Sequence, residues 1–253
     1  MTLIKKILIF LISMATAMAS ASNVGVWPIN PRIDSPTSST LLWVKNNNKN
    51  DPVVLQARVF LWKQIDNKDQ LEAQDDLVIS PPIIEVKPDM QQIFRVMNRK
   101  GAIANASVEQ TYRILIDEVP KEDSAQGSEL RFQMRYSLPL FVGRPAPYND
   151  KTIVDVLKNM ANYLSYRIVQ EPSPAIEIIN KGPLHARLSN LTVRHNSLPE
   201  NKLQISDGLL GYVLPNSVKR WPLDKTQLAA ISLAGAQVTF EQEHQELGVA
   251  AEK

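Results

Sequence analysis

Between Gly127 and Pro145 the chain reads GSELRFQMRYSLPLFVGRP, and its apolar residues share one parity: Leu130, Phe132, Met134, Tyr136, Leu138, Leu140 and Val142. Arg131, Gln133, Arg135 and Ser137 open the other parity. A helix returns a side chain to the same face only every ~3.6 residues, so a period of two dictates a β-strand with one buried face. The run is about twice the usual strand length of five to six residues. Its first apolar side chains emerge straight from the polar stretch Lys121–Glu129. A strand this long and this apolar needs something to pack against along its whole length.

Other segments obey the same rule. NVGVWPINPRI is extended but interrupted by Pro28 and Pro31, which suits an edge. TLLWVKN, VVLQARVFLWKQI, LVISPPIIEV, QQIFRVMN and TYRILIDEVP follow, rich in β-branched and aromatic residues and separated by turn signals. With the alternating segment this makes about seven strands at the spacing of a sandwich. NKDQLEAQDD, from Asn67 to Asp76, is charged enough to read as a hairpin loop. VGRPAPYND then breaks any periodicity through Gly143, Pro145 and Pro147, marking a linker. Beyond it YLSYRIVQ, AIEIIN, HARLSNLTVRH, KLQIS, GYVLP, LAAISL and AQVTFEQ read as shorter strands, and Thr152–Ala161 as a helical turn or two without a firm cap. The expectation is an all-β chain of two sandwiches joined by a short hinge.

The opening MTLIKKILIFLISMATAMASAS combines Lys5 and Lys6, an apolar run and small residues, as a secretory signal peptide does, so residues 1–21 are set aside as a leader. The apolar run falls short of the roughly 20 residues that span a bilayer, which argues against membrane insertion. The leader contains two lysines and no acid, so the formal charge of +2 falls to zero on its removal, and neither nucleic acid nor an anionic membrane is called for. Cysteine is absent, which excludes thiolate metal sites, cysteine nucleophiles and disulfides. His185, His195 and His244 are scattered, without metal spacing, and read as surface or turn residues. Asp75–Asp76 and Asp117–Glu118 are adjacent, so on strands they point to opposite faces and form no acid–base pair. No Gly-x-Ser-x-Gly elbow or phosphate loop is present. An enzyme and a cofactor are therefore not expected. Trp27, Trp43, Trp62 and Trp221 read as packing residues.

Several fragments, in their order and spacing, resemble the periplasmic pilus-assembly chaperones of the chaperone–usher pathway, the PapD-like family. They are ISPPIIEVKPDMQQIFRV, TYRILIDEVP and SLPLFVGRP in the first half, and AIEIINKGPLHARLSNL and GYVLPNSVKRWPL in the second. The resemblance implies two immunoglobulin-like β-sandwich domains joined at an angle by a short hinge, residues 22–144 and 145–253. It also implies a periplasmic location, pilus or fimbrial subunits as partners and an outer-membrane usher as the recipient. In this family the first domain lends its last strand to a subunit that lacks one. Aligning the LFVGRP exit places Leu130, Phe132 and Met134 in the subunit groove, with Leu138, Leu140 and Val142 in the chaperone's own core. Burial of Leu, Phe and Met is worth about 1.5–3 kcal/mol each, less several kcal/mol for ordering and association. An exposed apolar edge also invites self-association of the free protein.

The family holds the subunit's C-terminal carboxylate with a paired Arg and Lys. Arg32 matches the Arg, whereas Pro139 stands at the Lys position. Arg113 and Arg135 are the substitutes considered, on the expectation that they lie nearly opposite each other on paired strands. The rival reading is an exported two-domain immunoglobulin-like pilus subunit or adhesin, and the overlong strand and short N-terminal region favour the chaperone. The triads Ala17–Met18–Ala19 and Ala19–Ser20–Ala21 fit cleavage after a small-x-small motif. N-terminal sequencing of exported protein should therefore begin at Ser20 or Ser22; an uncleaved Met1 removes the leader.

Overall fold

The computed structural model describes residues 24–101, 106–120, 133–145, 148 and 151–252. In chain order the first half contains β1 (Val24–Trp27), β2 (Arg32–Ile33), β3 (Ser39–Asn46), β4 (Val53–Ile65) and β5 (Lys68–Glu72). It continues with β6 (Leu77–Ser80), β7 (Ile83–Val86), β8 (Gln91–Asn98), β9 (Gln110–Val119) and β10 (Arg135–Val142). One sheet runs β1-β3-β8-β6; the other runs β2-β10-β9-β4-β5, with β7 also paired to β4. Alternation sends Leu42 and Val44 from the first sheet, and Leu55, Ala57, Ile114 and Ile116 from the second, into one core with Phe94, Val96 and Tyr112. Leu138, Leu140 and Val142 of β10 lie in that core, as their parity requires.

Local chemistry explains the departures from the sequence reading. Lys68–Glu72 is a strand rather than loop, because Asp66 and Asn67 take positive φ (50° and 63°) and close a two-residue hairpin in which Ile65 faces Lys68. LVISPPIIEV is two strands: Pro81–Pro82 ends β6, which pairs with β8, and β7 then pairs with β4 in the opposite sheet. NVGVWPINPRI likewise divides between the two sheets as β1 and β2.

The second half holds α1 (Ile153–Ala161), β11 (Leu164–Val169), β12 (Ala175–Asn180), β13 (Ala186–Arg194), β14 (Lys202–Gln204) and β15 (Leu209–Val213). After these come β16 (Ser217–Pro222), α2 (Lys225–Ile231), β17 (Gln237–Gln242) and β18 (Gln245–Ala251). Its pairing path β14-β13-β17-β18-β11-β12-β16 encloses a second core that includes Ile176, Ile178, Leu188, Leu191, Val193 and Phe240. Both helices carry caps. Thr152 accepts from the Asp155 N–H, so α1 is a capped helix. LAAISL belongs to α2, not to a strand: Asp224 and Gln227 form a reciprocal capping box that starts it, and Ala230 and Ile231 bury its inner face. The closing strand β18, absent from the sequence reading, pairs with β17 across a turn in which Glu243 and His244 have positive φ.

Leu140 is fully buried opposite Tyr112. Leu140→Ala should lower unfolding free energy by about 2–5 kcal/mol, measured by urea denaturation; a change below about 1 kcal/mol would place Leu140 outside the core.

Candidate functional site

Strand β10 pairs antiparallel with β9 along its length, yet on its other side it meets β2 only at Phe141 and Val142. The Phe141 N–H points outward to the Pro31 carbonyl, and the Glu118 N–H on the inner side donates to the Met134 carbonyl. By parity the outward backbone groups of Arg135, Ser137 and Pro139 form an edge, and among the described residues no strand pairs with it. Pro139 has no N–H, and the parity places that missing donor on the open side rather than in the ladder with β9.

The C-terminal end of this strand enters the joint between the two sandwiches. Trp62 of β4, Phe141 of β10, and Tyr212 and Leu214 from the second domain form a buried cluster. Trp62 meets Tyr212 edge to face at 5.6 Å between ring centroids. The His185 ring stacks on Phe141 at 3.5 Å and 3°. Polar pairing frames the rings: Gln64 donates to the Tyr212 carbonyl (2.9 Å) and accepts from the Leu214 N–H (2.9 Å). Asp69 binds Trp62 Nε1 (3.1 Å) and Lys219 (2.9 Å), and the Tyr212 hydroxyl donates to Asn30 (3.1 Å).

Beneath the rings lies Glu109, its side chain 0% exposed. Its Oε1 accepts from Arg32 Nη2 at 2.7 Å, and its Oε2 takes the His185 backbone N–H at 3.1 Å and meets His185 Nδ1 at 2.6 Å. The Glu109 N–H donates to the Pro183 carbonyl. Arg32 also binds Asp34 through Nε (2.9 Å), and Asp34 accepts the Arg144 N–H (2.9 Å). One buried carboxylate thus ties the first domain, the second domain and, through Arg32 and Asp34, the linker. Burial acts to raise the Glu109 pKa, but attraction and hydrogen bonding from His185 and the Arg32 charge outweigh it and hold it down to about 2.

Of the residues singled out in the sequence, Arg32 lies at this node, on β2 beside the end of β10. Arg113 faces Pro139 and stacks 3.8 Å over Trp62. Burial lowers its pKa against the opposing attraction of Tyr212 and Asp69. Arg135 is not opposite Arg113: it faces Asp117, with which it pairs, and Asp117 also binds Arg58 at 2.6 Å. Met134 is exposed at the start of the edge; Leu130 and Phe132 lie outside the described residues. His185 is no surface residue but part of the joint, with its side chain 12% exposed. Glu109, Gln64 and Tyr212 were missed in the sequence. Only the position of Glu109 at the head of TYRILIDEVP could have drawn notice.

Residues 32–148 match the family described as pili and flagellar-assembly chaperone, PapD N-terminal domain. The first half of the chain is thus similar to that chaperone domain. The chain also shares its two-domain fold with solved structures. A chain of the CsuC–CsuE chaperone–tip adhesion subunit pre-assembly complex from the archaic chaperone–usher Csu pili of Acinetobacter baumannii is 24% identical, with a TM-score of 0.69, over 92% of this chain and 100% of that one. The E. coli chaperone DraB is 14% identical at a TM-score of 0.61, over 91% of this chain and 97% of its own. A chain from the Salmonella enterica complex of SafA pilin with the SafB chaperone is 19% identical at 0.60, over 91% and 97%. No curated protein sequence matches.

The depressed Glu109 pKa makes the joint acid-labile in a defined direction. Because about 2 lies below the ordinary 4.5, the contribution is complete above about pH 4.5 and is lost as pH falls through about 2. Between those limits the wild-type protein should lose stability more steeply than Glu109→Gln, by on the order of 3 kcal/mol in total, in urea unfolding across that range. Parallel curves would detach Glu109 from the pH response.

Proposed function

We propose that this PapD-like protein is a periplasmic chaperone for pilus or fimbrial subunits. It lends the β10 edge to a subunit that lacks a strand and hands the subunit to an outer-membrane usher. Residues 1–21 serve as the leader, 22–144 as the subunit-binding domain and 145–253 as the second domain. The observation that carries the reading is the open edge of β10 from Arg135 to Pro139, continuous with an alternating apolar run in the sequence. A sheet edge left open in this way pairs readily with another chain. In the donated segment Leu130, Phe132 and Met134 fill the subunit's missing core positions, and a one-residue slip would turn them away from it.

The subunit's terminal carboxylate is met at the end of the edge where the cations gather. Arg113 stands beside Pro139, stacked on Trp62, and its acidic neighbour Asp69 is already bound by Lys219 and Trp62. It takes the place of the family lysine that Pro139 cannot supply, with Arg32 as the second cation. Arg135 is already paired with Asp117 and contributes less.

Co-expression with a strand-deficient pilin subunit tests this. Changing Leu130, Phe132 and Met134 together to Asp should collapse the subunit's periplasmic yield; an unchanged yield removes strand donation through these residues. Arg113→Ala and Arg32→Ala should each weaken capture more than Arg135→Ala does, and the reverse ranking would relocate the anchor.

A further inference from the structure

The node under the joint divides its labour between two oxygens. Glu109 Oε1 holds Arg32 Nη2, while Oε2 is turned to His185 of the second domain. Arg32 gives its Nε and Nη2 to Asp34 as well, leaving Nη1 without a hydrogen bond among the described residues. We propose that His185 is a positioning residue: it reaches across the domain joint, fixes Glu109 in one-point contact with Arg32, and so keeps Arg32 Nη1 available for a partner's carboxylate.

Satisfied valences decide which contacts Arg32 can make. A buried carboxylate oxygen that loses a donor must find another. The donor at hand is the remaining Nη of Arg32, because carboxylate and guanidinium prefer a two-point fork. With His185 in place, Oε2 is already occupied by a 2.6 Å contact and the backbone N–H, and the fork does not form. Without the imidazole, Glu109 swings both oxygens onto Arg32. Nη1 is then taken as well, so Glu109 and Asp34 together occupy every guanidinium nitrogen, and an incoming carboxylate must displace one of them. Docking of the second domain and anion capture in the first are thereby linked, and linkage of this kind is reciprocal. The Phe141 ring lies against both partners, 3.5 Å from the His185 ring and 5.7 Å from the Arg32 guanidinium, so stacking must be separated from donation experimentally.

The idea that an outside carboxylate arrives at Arg32 rests on the function proposed above; the hold of His185 on Arg32 does not. Two variants separate the contributions. His185→Phe keeps a ring on Phe141 and removes the donor. His185→Asn keeps a nitrogen at the same reach and removes the ring. The first measurement is the Arg32 Nε–Hε correlation in NMR spectra of the full chain. It should shift in His185→Phe and stay at the wild-type position in His185→Asn; an unmoved signal in His185→Phe overturns the proposal. The second is binding of an alternating Val–Thr dodecapeptide with either a free C-terminal carboxylate or an amide. The wild-type and Asn forms should prefer the carboxylate, and the Phe form should lose about fivefold or more of that preference. Equal preference in wild type and His185→Phe also overturns the proposal. If wild type shows no preference while the Arg32 signal still responds to His185→Phe, the anchor reading fails and the positioning role stands.

Discussion

A carboxylate sealed from water must be neutralised where it lies, and the side chain of Glu109 is fully buried. Its partners come from different parts of the chain: Arg32 from the second strand, His185 from the turn that leads into β13 of the second sandwich. Neither domain alone completes its shell. Separating the domains would strip Oε2 of both of its contacts and the Glu109 N–H of its acceptor. The relative placement of the two sandwiches is therefore enforced by a polar requirement, while Trp62, Phe141, Tyr212 and Leu214 supply the apolar area that excludes water from it.

The same arrangement explains why β10 is placed as it is. Its far end is clamped: Phe141 and Val142 pair with β2, and the Phe141 ring lies under His185. Its inner parity is held by Leu138, Leu140 and Val142 in the first core. Everything that fixes the strand acts from one face, one side or the distal end. The outward side near Arg135 is left with only the backbone to offer. Firm support combined with an unfinished edge is what a strand shared between two folds would require.

Much of this was legible in the sequence, because alternation is a local signal. The parity of Leu138, Leu140 and Val142 assigned them to the core, where they lie. Short apolar runs were less transparent. LAAISL fits a strand or a helix equally well until Asp224 and Gln227 are recognised as a cap, and Thr152 with Asp155 performs the same office for α1. The node was hidden for another reason. Glu109 and His185 are 76 residues apart, and nothing in the neighbourhood of either reveals the other. The expected meeting of Arg113 with Arg135 failed on register, since a shift of four residues along β9 puts Asp117 opposite Arg135 instead.

Pro139 gives the open edge an unequal texture. A visiting strand can take donors from Arg135 and Ser137, but at the next outward rung it finds a carbonyl and no amide hydrogen. An alignment that presented its own carbonyl there would forfeit a bond, whereas one that set a bulge or its terminus at that rung would not. For any chain that paired there, the imino acid would work as a notch in a ruler, marking where along the edge to stop.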